Sequence, residues 1–320
     1  MDFDVNEDEA ALQAGVRGLC SGRFPIEVVR GLAETAGVDR ALWAELADTG
    51  VFGLRLPEAD GGVGLGMTEA VLVFEELGRA LVAGPLLATH LAAGVVDGAV
   101  SGERVVGLVE QTAGPILVEH LSALDALVVA GDDGLVLVDA DAIEGAAVDR
   151  PLDPLTPLHL VDVLPAGERI GGPDDAARWR REGAVLAAAC LLGIADRTVE
   201  LGTAYALERQ QFGKPIGTFQ AVKHLLADML TRSEVARAAV YAAGVTLDDP
   251  SVGDPDRSAA GAKLIAGHAA IANAKSCIQV HGGMGFTWEV DVHLFLKRAW
   301  VLETVFGTGD HHAEAMAALV

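Results

Sequence analysis

The stretch YALERQQFGKPIGTFQAVKHLLADM, residues 205–229, decides the fold. It closes one helical run at Glu208, breaks at Gly213, Pro215 and Gly217, and opens a second run. There Phe219, Val222, Leu225, Leu226, Met229 and Leu230 recur at spacings of three and four, the period of one helix face. Working outward, residues 174–208, 217–247, 256–283 and 289–305 all read as helices. The breaks between them, at 213–217, 248–256 and 282–285, carry Gly, Pro and Asp. Four long helices on short connections predict an antiparallel bundle.

Upstream the pattern changes twice. Residues 8–50 carry three helical stripes, made by Leu12, Val16 and Leu19, by Val28, Val29, Leu32 and Ala36, and by Leu42 and Leu46. A loop rich in Pro, Asp and Gly follows at 57–66. Thr68 is placed to cap a helix with Val71, Phe74, Leu77 and Leu81 on one face. Residues 101–172 hold short β-type runs, RVVGLVEQ, GPILVEHL, ALDALVVAG and GLVLVDAD. Gly131-Asp132-Asp133-Gly134 predicts a hairpin turn between the last two. Pro151, Pro154, Pro157 and Pro165 then predict an extended path. The expected fold class is mainly α with a small β domain: an N-terminal helical domain at 1–100, a middle β domain at 101–172 and a C-terminal four-helix bundle at 173–320.

Composition limits the function. The net charge of −23 argues against a nucleic-acid binder, which needs a basic surface for phosphates. Cys20, Cys190 and Cys277 lie far apart with no ligand spacing, so no metal site is expected, and the thiols read as buried apolar groups in a reducing compartment. The N-terminus is acidic and does not read as a signal peptide. The apolar stretch 81–100 is interrupted by Pro85, His90 and Asp97, so a membrane span is not expected and a cytoplasmic location is.

A second segment, IQVHGGMGFTWEVDVHLFLKRA at 278–299, stands out in the bundle, as do GLRLPEADGGVGLG at 53–66 and FEELGRA at 74–80. In this order and separation, the three regions with 205–229 resemble the acyl-CoA dehydrogenase family. The resemblance covers both helical domains and is weak between them. It implies an FAD-dependent flavoprotein of lipid metabolism that desaturates an acyl-CoA thioester and passes electrons to an acceptor such as an electron-transfer flavoprotein. It also implies that Arg209, Gln211, Phe212, Gln220, Gln279, Gly282 and Gly283 hold the pyrophosphate and adenosine half of FAD. In the family that flavin is seated largely on a neighbouring subunit. The residue types agree. An Arg fork matches a pyrophosphate, Phe212 offers a flat apolar surface, and glycines let a ligand approach the backbone.

The sequence departs from the family where the chemistry lies. Many members carry their base as the glutamate of a Tyr-Glu-Gly-Thr motif. The matching stretch here is Val305-Phe306-Gly307-Thr308, with Phe306 in the glutamate's place and Thr308 kept as a flavin contact. Other members place the base near positions matching Gly183 and Ala184, where Glu182 falls one residue short. Glu182 and Asp310 are the candidate relocated bases, each set against an ordinary helix-surface or first-turn carboxylate. The middle domain is reduced and lacks the family's ring-binding segments. Short, glutamate-lacking members pair with a full-length paralogue as an α2β2 heterotetramer, often on bulky sterol or polyketide-like thioesters. The resemblance therefore implies a subunit that lends its flavin-clasping helices to a catalytic partner. Two alternatives stay open: a homomeric flavoenzyme with a relocated base, and a flavin-free structural or regulatory subunit.

Overall fold

The computed structural model describes residues 5–34, 37–111 and 114–319. Helix α1 (Glu7–Arg23) begins in a reciprocal capping box between Asn6 and Glu9. Helices α2 (Ile26–Leu32), α3 (Arg40–Asp48), α4 (Met67–Arg79) and α5 (Leu86–Ala92) follow. The α1 and α3 stripes are seen as helices; Ala36, expected on the second stripe, lies outside the described residues. Thr68 is inside α4 and does not cap it. The Gly66 N–H is instead taken by the Glu69 carboxylate at 2.8 Å.

The β region comprises β1 (Val106–Glu110), β2 (Ile116–Glu119), β3 (Ala126–Gly131), β4 (Gly134–Asp139), β5 (Ala146–Ala147), β6 (Leu158–Val161) and β7 (Glu168–Gly171). One sheet has the order β1-β3-β4-β7, with β1 and β3 parallel; the other has the order β2-β6-β5. The expected hairpin joins β3 to β4, Gly131 pairing with Gly134. Strands β6 and β7 occupy the segment expected to be an extended, proline-marked path. Pro157 precedes β6 and Pro165 falls between the strands, so neither removes a donor from a ladder.

The C-terminal region holds α6 (Pro173–Glu208), the hairpin β8 (Gln210–Gln211) and β9 (Lys214–Pro215), α7 (Gln220–Asp248), α8 (Pro255–His281), α9 (Val292–Thr304) and α10 (Gly309–Ala318). The four expected helices are present. α10 is an addition, started by Thr308, whose side chain accepts the His311 N–H. The fold class is the expected one, mainly helical with a small β region.

Packing divides the chain into two compact units. One gathers the chain up to Ile26, Val71–Val82 and Ala184–Val320; the other gathers Glu27–Ala70 and Ala83–Gly183. In the first, α6 is buried on every side from Ala184 to Ala195, the mark of a central helix. Gly78 of α4 and Gly193 of α6 let these helices touch backbone to backbone. A Cβ on Gly78 would strike the Cys190 carbonyl, and one on Gly193 the Glu75 carbonyl. Two buried carboxylates of α4 are tied down beside this crossing. Glu76 takes a two-pronged bond from Arg17, and Glu75 takes Arg237 and the Tyr241 hydroxyl. Helix α8 packs against α7, α9 and α10. Cys20, Cys190 and Cys277 are buried free thiols, each pushed up to about 12 by burial.

In the second unit, β3 is buried along its whole length. Thr89 of α5 clamps the edge strand β1, donating to the Val106 carbonyl at 3.0 Å and accepting its N–H at 3.1 Å. Among the described residues no helix is long and apolar enough to cross a membrane.

Candidate functional site

Helix α6 ends with the Arg209 N–H on the Tyr205 carbonyl at 2.9 Å. The chain then turns back within two residues. Gln210 pairs with Pro215 and Gln211 with Lys214, leaving Phe212 and Gly213 at the tip. Both tip residues have positive φ, 53° and 78°, as a tight two-residue hairpin demands. Glycine does this freely, whereas phenylalanine is strained there. Phe212 stands 90% exposed, its ring edge-on to that of Phe219 with centroids 6.1 Å apart. The Ile216 N–H on the Arg209 carbonyl at 2.8 Å locks the hairpin base.

Helix α7 starts at Gln220 with no side-chain cap, which leaves the Gln220 and Ala221 amides at the positive end of the helix dipole without a capping side chain. Arg209 and Gln220 are exposed, and among the described residues no carboxylate pairs with Arg209. An exposed arginine fork and an uncapped helix start each suit an anion with several oxygens.

The second segment ends α8. Gln279 is exposed, His281 is buried, and Gly282 turns the chain at φ 62° and ψ −142°, a conformation open to glycine alone. A Cβ on Gly282 or Gly283 would meet nothing within 4 Å, so this backbone lies open to a ligand. Gly285 differs, since a Cβ there would sit 2.6 Å from the Ile278 carbonyl; its role is packing. The His281 Nδ1–H donates to the Cys277 carbonyl at 2.8 Å, and burial holds the ring below its ordinary range.

One contact joins the two segments. The Tyr205 and His281 rings stack with centroids 4.1 Å apart and planes 23° from parallel. Tyr205 is one turn before Arg209 and His281 is the residue before Gly282. The stack thus ties the helix end carrying Arg209 to the helix end carrying Gln279, Gly282 and Gly283. Sequence reasoning missed this pair, although the Tyr205–Arg209 spacing of one helical turn was there to read.

The candidate bases lie elsewhere, and one of them is occupied. Glu182 lies well inside α6 and belongs to the other unit, so it is not a first-turn residue. Arg55 grips both of its oxygens, at 2.9 and 3.0 Å, with side chains 26% and 15% exposed respectively. Both oxygens of this carboxylate are thus engaged by a guanidinium fork. Asp310 is an exposed acid in the first turn of α10. Phe306 is buried at φ 56°, and the exposed Thr308 spends its hydroxyl oxygen on capping α10.

Comparison with known proteins agrees with this layout. Residues 6–99 match the acyl-CoA dehydrogenase N-terminal domain and residues 181–320 the acyl-CoA dehydrogenase C-terminal domain. The chain is 35% identical to acyl-CoA dehydrogenase FadE34 of Mycobacterium tuberculosis, over 98% of this chain but only 48% of that one. It is 34% identical to acyl-CoA dehydrogenase IpdE2 of Mycolicibacterium smegmatis, over 92% of this chain and 93% of that one. A chain of the ChsE4-ChsE5 complex from Mycobacterium tuberculosis superposes with a TM-score of 0.83 at 26% identity, covering 99% of this chain and 98% of that one. A chain of the Tcur3481-Tcur3483 steroid ACAD gives 0.84 at 25% identity with the same coverage. With both terminal domains matched and full-length relatives at this identity, the chain belongs to the acyl-CoA dehydrogenase family.

Proposed function

We propose that this chain is a flavin-clasping subunit of a heteromeric acyl-CoA dehydrogenase, working in the cytoplasm on a bulky thioester and completing the active site of a full-length paralogue. The proposed parts are the helical domain 1–100, the reduced β domain 101–172 and the bundle 173–320. The observation that carries the reading is a contrast within one chain. The helix ends around the Tyr205–His281 stack, where the phosphates would sit, offer an exposed arginine, an uncapped helix start and unobstructed glycine backbone. Of the places for a base, one holds a buried phenylalanine, one a carboxylate already bound to arginine, and the third, Asp310, is a surface acid in the first turn of α10.

The reaction is α,β-desaturation of an acyl-CoA, in which bound FAD supplies the hydride acceptor and a carboxylate removes the α-proton. Arg209 would pair with the pyrophosphate, with the amides at the start of α7 and Gln220 beside it. Phe212 would cover an apolar face of the dinucleotide. Gln279 and the open backbone of Gly282 and Gly283 would hold the adenosine end, and Thr308 would border the flavin. The base and the ring pocket come from the partner, and electrons leave to an acceptor such as an electron-transfer flavoprotein. The heteromer is supported by the two complexes named above, each with two protein components. FadE34 supports it too: beyond the matched part it has as much sequence again, room for a second subunit on one polypeptide. The steroid substrate of one structural relative supports a bulky thioester here.

The test is co-purification. The chain alone should be colourless. Combined with its full-length paralogue it should elute as one flavin-yellow assembly with dehydrogenase activity. Arg209→Ala should leave that assembly intact and weaken FAD binding by about 10- to 100-fold, the weight of one charge-assisted pair of about 1.5–3 kcal/mol. A yellow, active homomer would overturn the reading in favour of a relocated base. An assembly that stays colourless would favour a flavin-free subunit.

A further inference from the structure

Lys263 is on α8 among alanines and is 1% exposed. Among the described residues no carboxylate pairs with its ammonium. It donates to two backbone carbonyls, Glu303 at 2.8 Å and Gly307 at 2.9 Å. The Glu303 carboxylate turns away to accept the Gly309 N–H at 2.7 Å. From α10 the buried His312 donates its Nε2–H to the Phe306 carbonyl at 2.9 Å. Three carbonyls within five residues are therefore captured by two buried side chains, across a turn with positive φ at both Phe306 and Gly307.

The placement is electrostatically ordered. The ammonium meets the last turn of α9, where helix carbonyls are unpaired and negative, and the Glu303 carboxylate meets the first amide of α10. An apolar residue at 263 would avoid the cost of burying an ammonium, so its presence points to a geometric task. We propose that Lys263 is a positioning residue that fixes the turn 305–308, and so holds Thr308 where the flavin-dependent reaction uses it. This rests on the reading that Thr308 borders the flavin. The titratable groups acting on the ammonium are Glu303 of α9 and His312 of α10. Burial pulls Lys263 down to about 8, against the pull of Glu303. His312, held below its ordinary range by its own burial and by Lys263, stays neutral above pH 7.

The experiment begins with the chain alone. Hydrogen exchange of the peptide 304–312, corrected for the chemical exchange rate, is followed from pH 7 to 9.5. Because burial lowers the folded-state value of Lys263, the open turn binds the extra proton, so protection should rise about tenfold or more as pH climbs past 8, while residues 295–301 stay constant. Lys263→Met should show low protection with no pH dependence. If that variant does not fold, the wild-type series decides by itself, and a flat series overturns the proposal. The second measurement titrates FAD into the assembly with the paralogue. Lys263→Met should weaken FAD and alter the flavin absorption band with the assembly mass unchanged. Wild-type FAD binding by Lys263→Met beside impaired Arg209→Ala sinks this inference and spares the functional reading. Unimpaired binding in both variants sinks both.

Discussion

At the residue scale, Glu182 and His90 share a neighbourhood and make different demands. Glu182→Gln keeps one acceptor for Arg55 and loses the charge, so it should cost about 1–2 kcal/mol of stability, discounted for its partial exposure. Dehydrogenase activity of the assembly should stay within a few-fold. A loss of several orders of magnitude would make Glu182 the base. His90 is fully buried, its Nδ1–H on the Val51 carbonyl at 3.0 Å, and burial pulls its ring from 6.5 down to about 4. The folded state therefore refuses a proton that the unfolded chain takes. The neutral ring's contribution is complete above pH 6.5 and is lost as pH falls from 6.5 to 4, by up to about 3 kcal/mol. Urea midpoints for the wild type and His90→Gln should converge over that range; parallel curves would refute the assignment. Neither property was legible in the sequence, which shows Glu182 without Arg55, 127 positions away. The phosphate-side candidates were legible because they fall in two short segments at helix ends. The Phe306 departure was legible for the same reason.

At the scale of elements, the helix crossing of α4 and α6 depends on two missing side chains. Gly193→Ala would drive a methyl into the Glu75 carbonyl and against the Arg79 N–H, and backbone cannot step aside. A loss of at least ~3 kcal/mol is expected, read as a lowered melting temperature. Gly261→Ala in α8 is the contrast, because its Cβ would meet only Met316 at 3.8 Å. That substitution should stabilise by about 0.5–1 kcal/mol through helix propensity. Equal effects at the two sites would mean the crossing is looser than described. The long helices and the β3–β4 hairpin could be read beforehand, since periodicity and turn residues are local signals. Strands β6 and β7 could not, because prolines at strand margins look the same in sequence as prolines that prevent strands. Helix α10 escaped notice because its start hides in Thr308, which the eye assigns to the preceding motif.

At the scale of the whole molecule, its division into units follows contacts distant in sequence, as where Arg237 of α7 meets Glu75 of α4, and no local pattern announces them. The charge of −23 argues against nucleic-acid partners and says nothing of the fold. The hairpin tip has a consequence for anyone who would engineer the chain. Asparagine accepts positive φ where phenylalanine is strained, so Phe212→Asn should raise the melting temperature, worth about 1 kcal/mol, while flavin capture by the assembly falls. Thermal-shift and FAD-binding measurements on one variant decide this; a gain or a loss in both would refute it. A directed-evolution screen that rewards heat resistance alone would then drift toward Asn-Gly at 212–213. Its winners would be durable proteins that had discarded their ligand, and the genotype at this single codon would report which pressure had acted.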